Sequence, residues 1–100
     1  MVKLMVCYGA PEDPAAFDAH YAATHAPLAE KVPGLRRFEW GRVLGTPDGS
    51  AAPYYLIAEL SFDDVEALQA GMAAPEGVAA GADVANFATG GATLMIADVS

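Results

Sequence analysis

Hydrophobic and polar positions alternate along this chain with two periods, and they predict six elements. Residues 2–8 (VKLMVCY) are apolar on both faces apart from Lys3, the pattern of a central strand covered on two sides. Asp13 is a good helix N-cap and Pro14 a good first helical residue. A helix is predicted from there to about Lys31, ended by Pro33-Gly34, with Phe17, Tyr21, Thr24, Leu28 and Val32 on one stripe. Those five fall within roughly 80° of one another at helical spacing. His25 lies just off that stripe and His20 borders its other edge, where a surface or interface position is expected. Pro27 removes a helical donor and disfavours helical geometry at Ala26, so a kink is predicted near His25.

Residues 35–43 (LRRFEWGRV) and 54–60 (YYLIAEL) read as a hairpin of two antiparallel strands, joined by a loop with its turn at Thr46-Pro47-Asp48-Gly49. Ser61 or Asp63 is expected to cap a second helix with Val65, Leu68 and Met72 on its core stripe. Pro75-Glu76-Gly77 interrupts it, and residues 78–87 hold a further short helix. Residues 92–99 (ATLMIADV) form the last strand. The order strand, helix, strand, strand, helix, strand is the split βαβ, or ferredoxin-like, pattern: an α+β fold with one antiparallel sheet and both helices on one face, in a single domain over residues 1–100. The doubly apolar first and last strands leave a second sheet face to be covered, and a second copy of the chain is the expected cover: a homodimer whose sheets enclose a barrel.

Composition sharpens this picture. Hydrophobic residues make up 54% of the chain, more apolar surface than one small core absorbs. The net charge is −8, and residues 43–100 carry eight acids and no Lys or Arg, which argues against nucleic acid as a partner and against a polybasic membrane anchor. No apolar run is long enough to span a bilayer, and the N-terminus lacks a signal-peptide pattern. The single cysteine, Cys7, allows no internal disulfide and fits a reducing, cytoplasmic setting.

The candidate chemistry gathers around the first helix. His25 can exchange a proton near neutral pH. The hydroxyls of Tyr8, Tyr21 and Tyr55 can orient a substrate oxygen, and Trp40 and Phe87 can wall an apolar pocket. Glu59, in an otherwise apolar strand, must pair or be protonated if it faces the interior. One hairpin register puts Phe38, Trp40 and Arg42 on the face of Tyr55, Ile57 and Glu59, with Arg36 or Arg42 to neutralise Glu59. The other puts Arg37 and Glu39 there, with Arg37 as the partner. Asp83 is expected to cap or tie down the last helix. His20 and His25 stand five apart, not the three or four that place two metal ligands on one helical face, so no metal is expected. Neither a phosphate loop nor a dinucleotide fingerprint occurs, and no redox cofactor is implied.

Two segments carry a family resemblance. His20-Tyr21-Ala22-Ala23-Thr24-His25-Ala26-Pro27-Leu28 followed by Val32-Pro33-Gly34-Leu35, and Pro75-Glu76-Gly77 followed by Ala82-Asp83-Val84-Ala85-Asn86-Phe87 and Gly90-Gly91, resemble the EthD family of small dimeric α+β barrel proteins. That family is named for a protein needed in bacterial degradation of ethyl tert-butyl ether. Relatives on the same barrel include cofactor-free monooxygenases, muconolactone isomerases and enzymes of polyketide intermediates. The resemblance implies a homodimer and a small hydrophobic ligand, and it adds weight to His25, which falls within the motif. The expected function is a cofactor-free enzyme acting on a small phenol, enol or polyketide-like carbonyl compound by isomerisation, cyclisation, decarboxylation or oxygenation. The alternative is a non-catalytic binding or accessory protein in xenobiotic or ether degradation.

Overall fold

A computed structural model of the chain describes residues 1–99. Four strands, β1 (Val2–Tyr8), β2 (Arg37–Arg42), β3 (Leu56–Phe62) and β4 (Ala92–Asp98), form one sheet in the order β2-β3-β1-β4, and every neighbouring pair is antiparallel. This is the ferredoxin-like α+β arrangement. The helical layer covers one face of the sheet. It comprises α1 (Pro14–His20), a π-helical turn (Tyr21–His25), α2 (Ala26–Glu30), α3 (Val65–Ala73) and α4 (Pro75–Phe87).

Strand alternation sorts the side chains. Val2, Leu4, Val6 and Tyr8 of β1 and Leu56, Ala58, Leu60 and Phe62 of β3 point under the helices and are buried there against Phe17, Tyr21, Val32, Leu68, Ala80 and Phe87. Phe62 has no solvent exposure, and its burial carries β3 two residues past the predicted strand end at residue 60. Ser61 is therefore a strand residue. The cap of α3 falls to Asp64, which accepts from the Ala67 N–H at 2.8 Å, while Asp63 pairs with Arg36 instead. Asp13 caps α1 as expected, accepting from the Ala16 N–H at 3.1 Å with Pro14 following. Pro75 does not merely interrupt the second helical region. It is the first residue of α4, which runs 13 residues from there.

The hairpin register is settled by Glu39 opposite Glu59 and Trp40 opposite Ala58. Arg37, Glu39, Ile57 and Glu59 thus share the face away from the helices. The expected arginine partner of Glu59 is a correction. Arg37 bonds Glu39 at 2.8 Å, Arg36 bonds Asp63 and Arg42 bonds Asp18, and Lys3 of β1 reaches Glu59 at 2.9 Å. Lys3 and Glu59 lie on the same face of adjacent strands, close to the diagonal position across the ladder.

The helix around His25 departs from the predicted stripe. The Ala26 N–H bonds the Tyr21 carbonyl, five residues back, so the turn is wider than an α-turn. Thr24 is exposed, and His25, Ala26 and Ala29 are turned inward. Ala26 keeps right-handed helical dihedrals (φ −57°, ψ −45°) despite preceding proline. The discontinuity expected near His25 is accommodated by the wide turn, with no break in the helix.

Candidate active site

His25 enters the core from the wide turn, and its side chain is only 7% exposed. Its ring packs against Phe87 (4.7 Å between centroids) and Tyr21 (5.1 Å). Nδ1 lies 3.0 Å from Oδ2 of Asp83, which α4 carries into the same buried region. The carboxylate also takes hydrogen bonds from His20 Nε2, 2.9 Å from Oδ1, and from Asn86 Nδ2 at 3.0 Å. Burial works to raise the Asp83 carboxyl, but the bonds from Asn86, His20 and His25 outweigh it and hold the group below its ordinary range. Burial pushes His25 down, and although Asp83 opposes this, the imidazole stays below its ordinary value. At neutral pH the pair is therefore a carboxylate and a neutral imidazole. An ionised carboxylate can only accept, so the proton of the neutral ring sits on Nδ1 and the lone pair on Nε2.

His25 lines a small cavity of about 50 Å³ between sheet and helices, and with Nδ1 on Asp83 its Nε2 is the nitrogen on the side of Tyr8, which lines the same cavity. Its walls are apolar: Leu4, Val6, Val32, Phe38, Leu60 and Val84 are among them. The lining residues with polar side chains are His25, Tyr8 and Tyr21. The Tyr8 hydroxyl is 3.5 Å from Nε2, the outer limit of a hydrogen bond. Tyr21 acts on the Tyr8 phenol as a hydrogen-bond donor does, through a contact outside ordinary hydrogen-bond geometry, and its hydroxyl has no other protein partner among the described residues. Burial raises both phenols, so both remain protonated donors. The ring of Tyr21 also lines an outer cleft of about 400 Å³ with Asp18, Trp40, Arg42, Leu44 and Leu56.

The residues singled out in the sequence thus divide into four groups. His25, Tyr21, Tyr8 and Phe87 form one buried cluster. Trp40, 44% exposed, touches that cluster through Tyr21, with ring centroids 4.9 Å apart. Tyr55 stands one ring further out, edge-on to Phe17, with its hydroxyl bonded to Asp18 at 2.7 Å. Glu59 does not join them, because it occupies the opposite face of the sheet. Two roles are corrected. Asp83 is more than a tie for the last helix, since it is the buried anion beside His25. His20 is no mere surface residue, since it shares that anion. Their approach had no signal in α-helical spacing, because the wide turn brings residues five apart round towards one side. Among the described residues no three His, Cys, Asp or Glu side chains converge as a metal site, and the two imidazoles point at a carboxylate instead of at a common empty point. No helix among the described residues is long and apolar enough to cross a membrane.

Fold and site together define a small ferredoxin-like α+β protein with a buried aspartate–histidine pair facing an apolar cavity. The chain belongs to the EthD domain family, whose model matches residues 10–91. It is 41% identical over 98 residues to an 11.0 kDa protein from the thcB-thcC intergenic region of Rhodococcus erythropolis, covering 98% of this chain and 94% of that one. The crystal structure of an EthD family protein from Bacillus halodurans C-125 is 47% identical and superposes with a TM-score of 0.93 over 100% of this chain and 99% of that one. A hydroxynitrile lyase from Passiflora edulis shares the fold, with a TM-score of 0.79 at 15% identity over 99% of this chain and 93% of that one.

Proposed function

We propose that this protein is a cofactor-free enzyme that moves a proton on a small hydrophobic phenol, enol or enolisable carbonyl compound. The observation that carries the reading is the Tyr21 hydroxyl, which no hydrogen bond of ordinary geometry holds, on a residue that lines an otherwise apolar cavity together with His25 and Tyr8. A buried donor held this loosely can turn to a ligand oxygen that enters the cavity. In the proposed step Nε2 of His25 takes the proton from the α-carbon. The electron pair of the broken C–H bond moves to the carbonyl oxygen, and the Tyr21 and Tyr8 hydroxyls donate to the enolate oxygen that forms. Asp83 keeps Nδ1 protonated and offsets the charge of the imidazolium. Reprotonation at a different carbon gives an isomer, and attack by the enolate carbon on a second carbonyl gives a ring. The cavity receives the reacting group, and the outer cleft across Tyr21, floored by Trp40 and Leu56, accepts the body of the ligand. The hydroxynitrile lyase offers support at the level of fold alone, since one fold hosts many activities.

The same reading includes a homodimer. Met95 of the edge strand β4 is 46% exposed and stands opposite Met5 on the sheet face away from the helices, apolar surface that a second copy would cover. Sedimentation at micromolar concentration tests this, and a folded monomer there defeats it.

The function is tested by incubating the protein with a panel of enolisable aryl ketones in deuterium oxide and following α-deuteration by mass spectrometry. Turnover above buffer, lost in His25→Gln, is the expected result. A ketone that binds but exchanges no faster than in buffer leaves a binding protein in place of an enzyme.

A further inference from the structure

Asp83 is one carboxylate serving two imidazoles. His25 bonds Oδ2 from the cavity side. His20 lies 2.9 Å from Oδ1 and 3.0 Å from Oδ2 on the solvent side, where its side chain is 30% exposed. The charges of such a cluster balance when it holds one extra proton: one imidazolium against one carboxylate. A second proton sets imidazolium beside imidazolium across a single anion, in a setting of reduced screening. The two rings therefore compete for the same compensating charge.

We propose that His20 is a positioning residue: by sharing the Asp83 carboxylate it limits the compensation open to a charged His25, and so keeps Nε2 of His25 free to act as a base in mildly acidic solution. The competition is unequal because the rings are unequally solvated. A charge on His20 is reached by water, and the outer cleft beside it also holds the acidic side chains of Glu12 and Asp13. A charge on His25 is surrounded by the ring of Phe87 and by Tyr21 and Tyr8, whose hydroxyls are neutral donors, and among the described residues Asp83 is the anion bonded to it. Asn86 completes the shell of Asp83 with a neutral donor and adds no charge. The meaning of this arrangement for catalysis rests on the reading of His25 as the proton-transfer group, but the coupling itself can be measured without any substrate.

The experiment is an NMR titration of the His25 ring C–H signals in the intact protein, compared with His20→Gln and His20→Arg. Glutamine keeps a donor for Asp83 and cannot charge, so the His25 midpoint should move clearly upward. Arginine carries a permanent charge to the same carboxylate, so His25 should titrate close to its wild-type position. An unchanged His25 midpoint in His20→Gln overturns the proposal, as does an equal shift in both variants. A melting-temperature loss in both variants with no difference in the His25 titration would assign His20 a purely structural tie and would equally overturn it. Because the readout needs no turnover, a failed coupling and a failed enzymatic reading are told apart.

Discussion

His25 Nδ1 stands 3.0 Å from Asp83 Oδ2, and this contact between the wide helical turn and α4 decides which ring nitrogen faces the cavity. Asp83→Asn removes the charge that fixes the tautomer and weakens three hydrogen bonds at once. Both side chains are 7% exposed, so little solvent is at hand to compensate. A hydrogen bond to a charged group is worth about 1.5–3 kcal/mol, and the variant should lose stability on that scale in urea denaturation. Proton-transfer turnover should fall further than stability does, because the lone pair no longer holds a fixed direction. A variant with wild-type stability and activity would remove Asp83 from the site.

The pH dependence of stability has a definite sign. The His25 pKa in the fold lies below its ordinary value of 6.5, because burial outweighs Asp83. In that window the unfolded chain binds more protons than the native one, so stability falls as pH drops. The contribution of His25 is fully present above 6.5 and is lost as pH falls through the folded value. Asp83, also held below its ordinary value, adds a second loss at more acidic pH. Urea midpoints measured from about pH 8 to about pH 5 should decline for the wild type and decline less for His25→Gln. Parallel curves for the two proteins would contradict the buried, neutral imidazole.

Most of the fold is legible in the sequence because the strands are patterned strongly. The doubly apolar 2–8 run, the Asp13-Pro14 start and the Thr46–Gly49 turn each carry local chemistry that nothing distant overrides, and Gly49 takes the positive φ of +80° that the turn requires. Two features were hidden. The β3 boundary depends on Phe62 finding the core, which is a tertiary fact. The inward turn of His25 depends on a hydrogen bond closing over five residues, and spacing counted at 100° per residue misplaces every side chain after it. His25, Tyr21 and Tyr8 were nameable from their chemistry. Asp83 was legible only as a cap or tie for the last helix, because its approach to His25 exists only once α4 is docked.

The packing of α4, which carries Asp83, gives a test by paired glycines. A Cβ on Gly77 would sit 2.2 Å from the Gly71 carbonyl oxygen and 2.5 Å from the Met72 Cα, both backbone atoms of α3. Neither can swing aside as a side-chain tip would, so Gly77→Ala must push α4 off α3. A cost of about 1–3 kcal/mol is expected, typical of overpacking. Gly81, one turn further along α4, has nothing within 4 Å of the same added carbon. There the substitution should stabilise the protein by about 0.5–1 kcal/mol, through lost freedom of the unfolded chain. Thermal denaturation of both variants reads the difference. Equal effects would mean that α3 and α4 do not meet as described.

The Tyr21 hydroxyl offers the sharpest separation of a packing role from a binding one. Tyr21 is 1% exposed, its hydroxyl has no partner among the described residues, and its ring is held by Phe17, His25, Trp40 and Phe87. Tyr21→Phe keeps the ring and removes only the oxygen. In the free protein that deletes a desolvated group whose contact with the Tyr8 hydroxyl falls outside ordinary hydrogen-bond geometry, so stability should stay unchanged or rise by about 1 kcal/mol. If a ligand oxygen is the missing partner, the same change removes a donor when the enolate forms. Exchange of the best aryl ketone should then fall about tenfold or more, the loss of roughly 1.4 kcal/mol of transition-state stabilisation. A structural tyrosine predicts the reverse: stability drops and exchange is retained. Urea denaturation and α-deuteration on the same preparation decide between them, and a variant that is both less stable and fully active would end the reading of Tyr21 as a ligand donor.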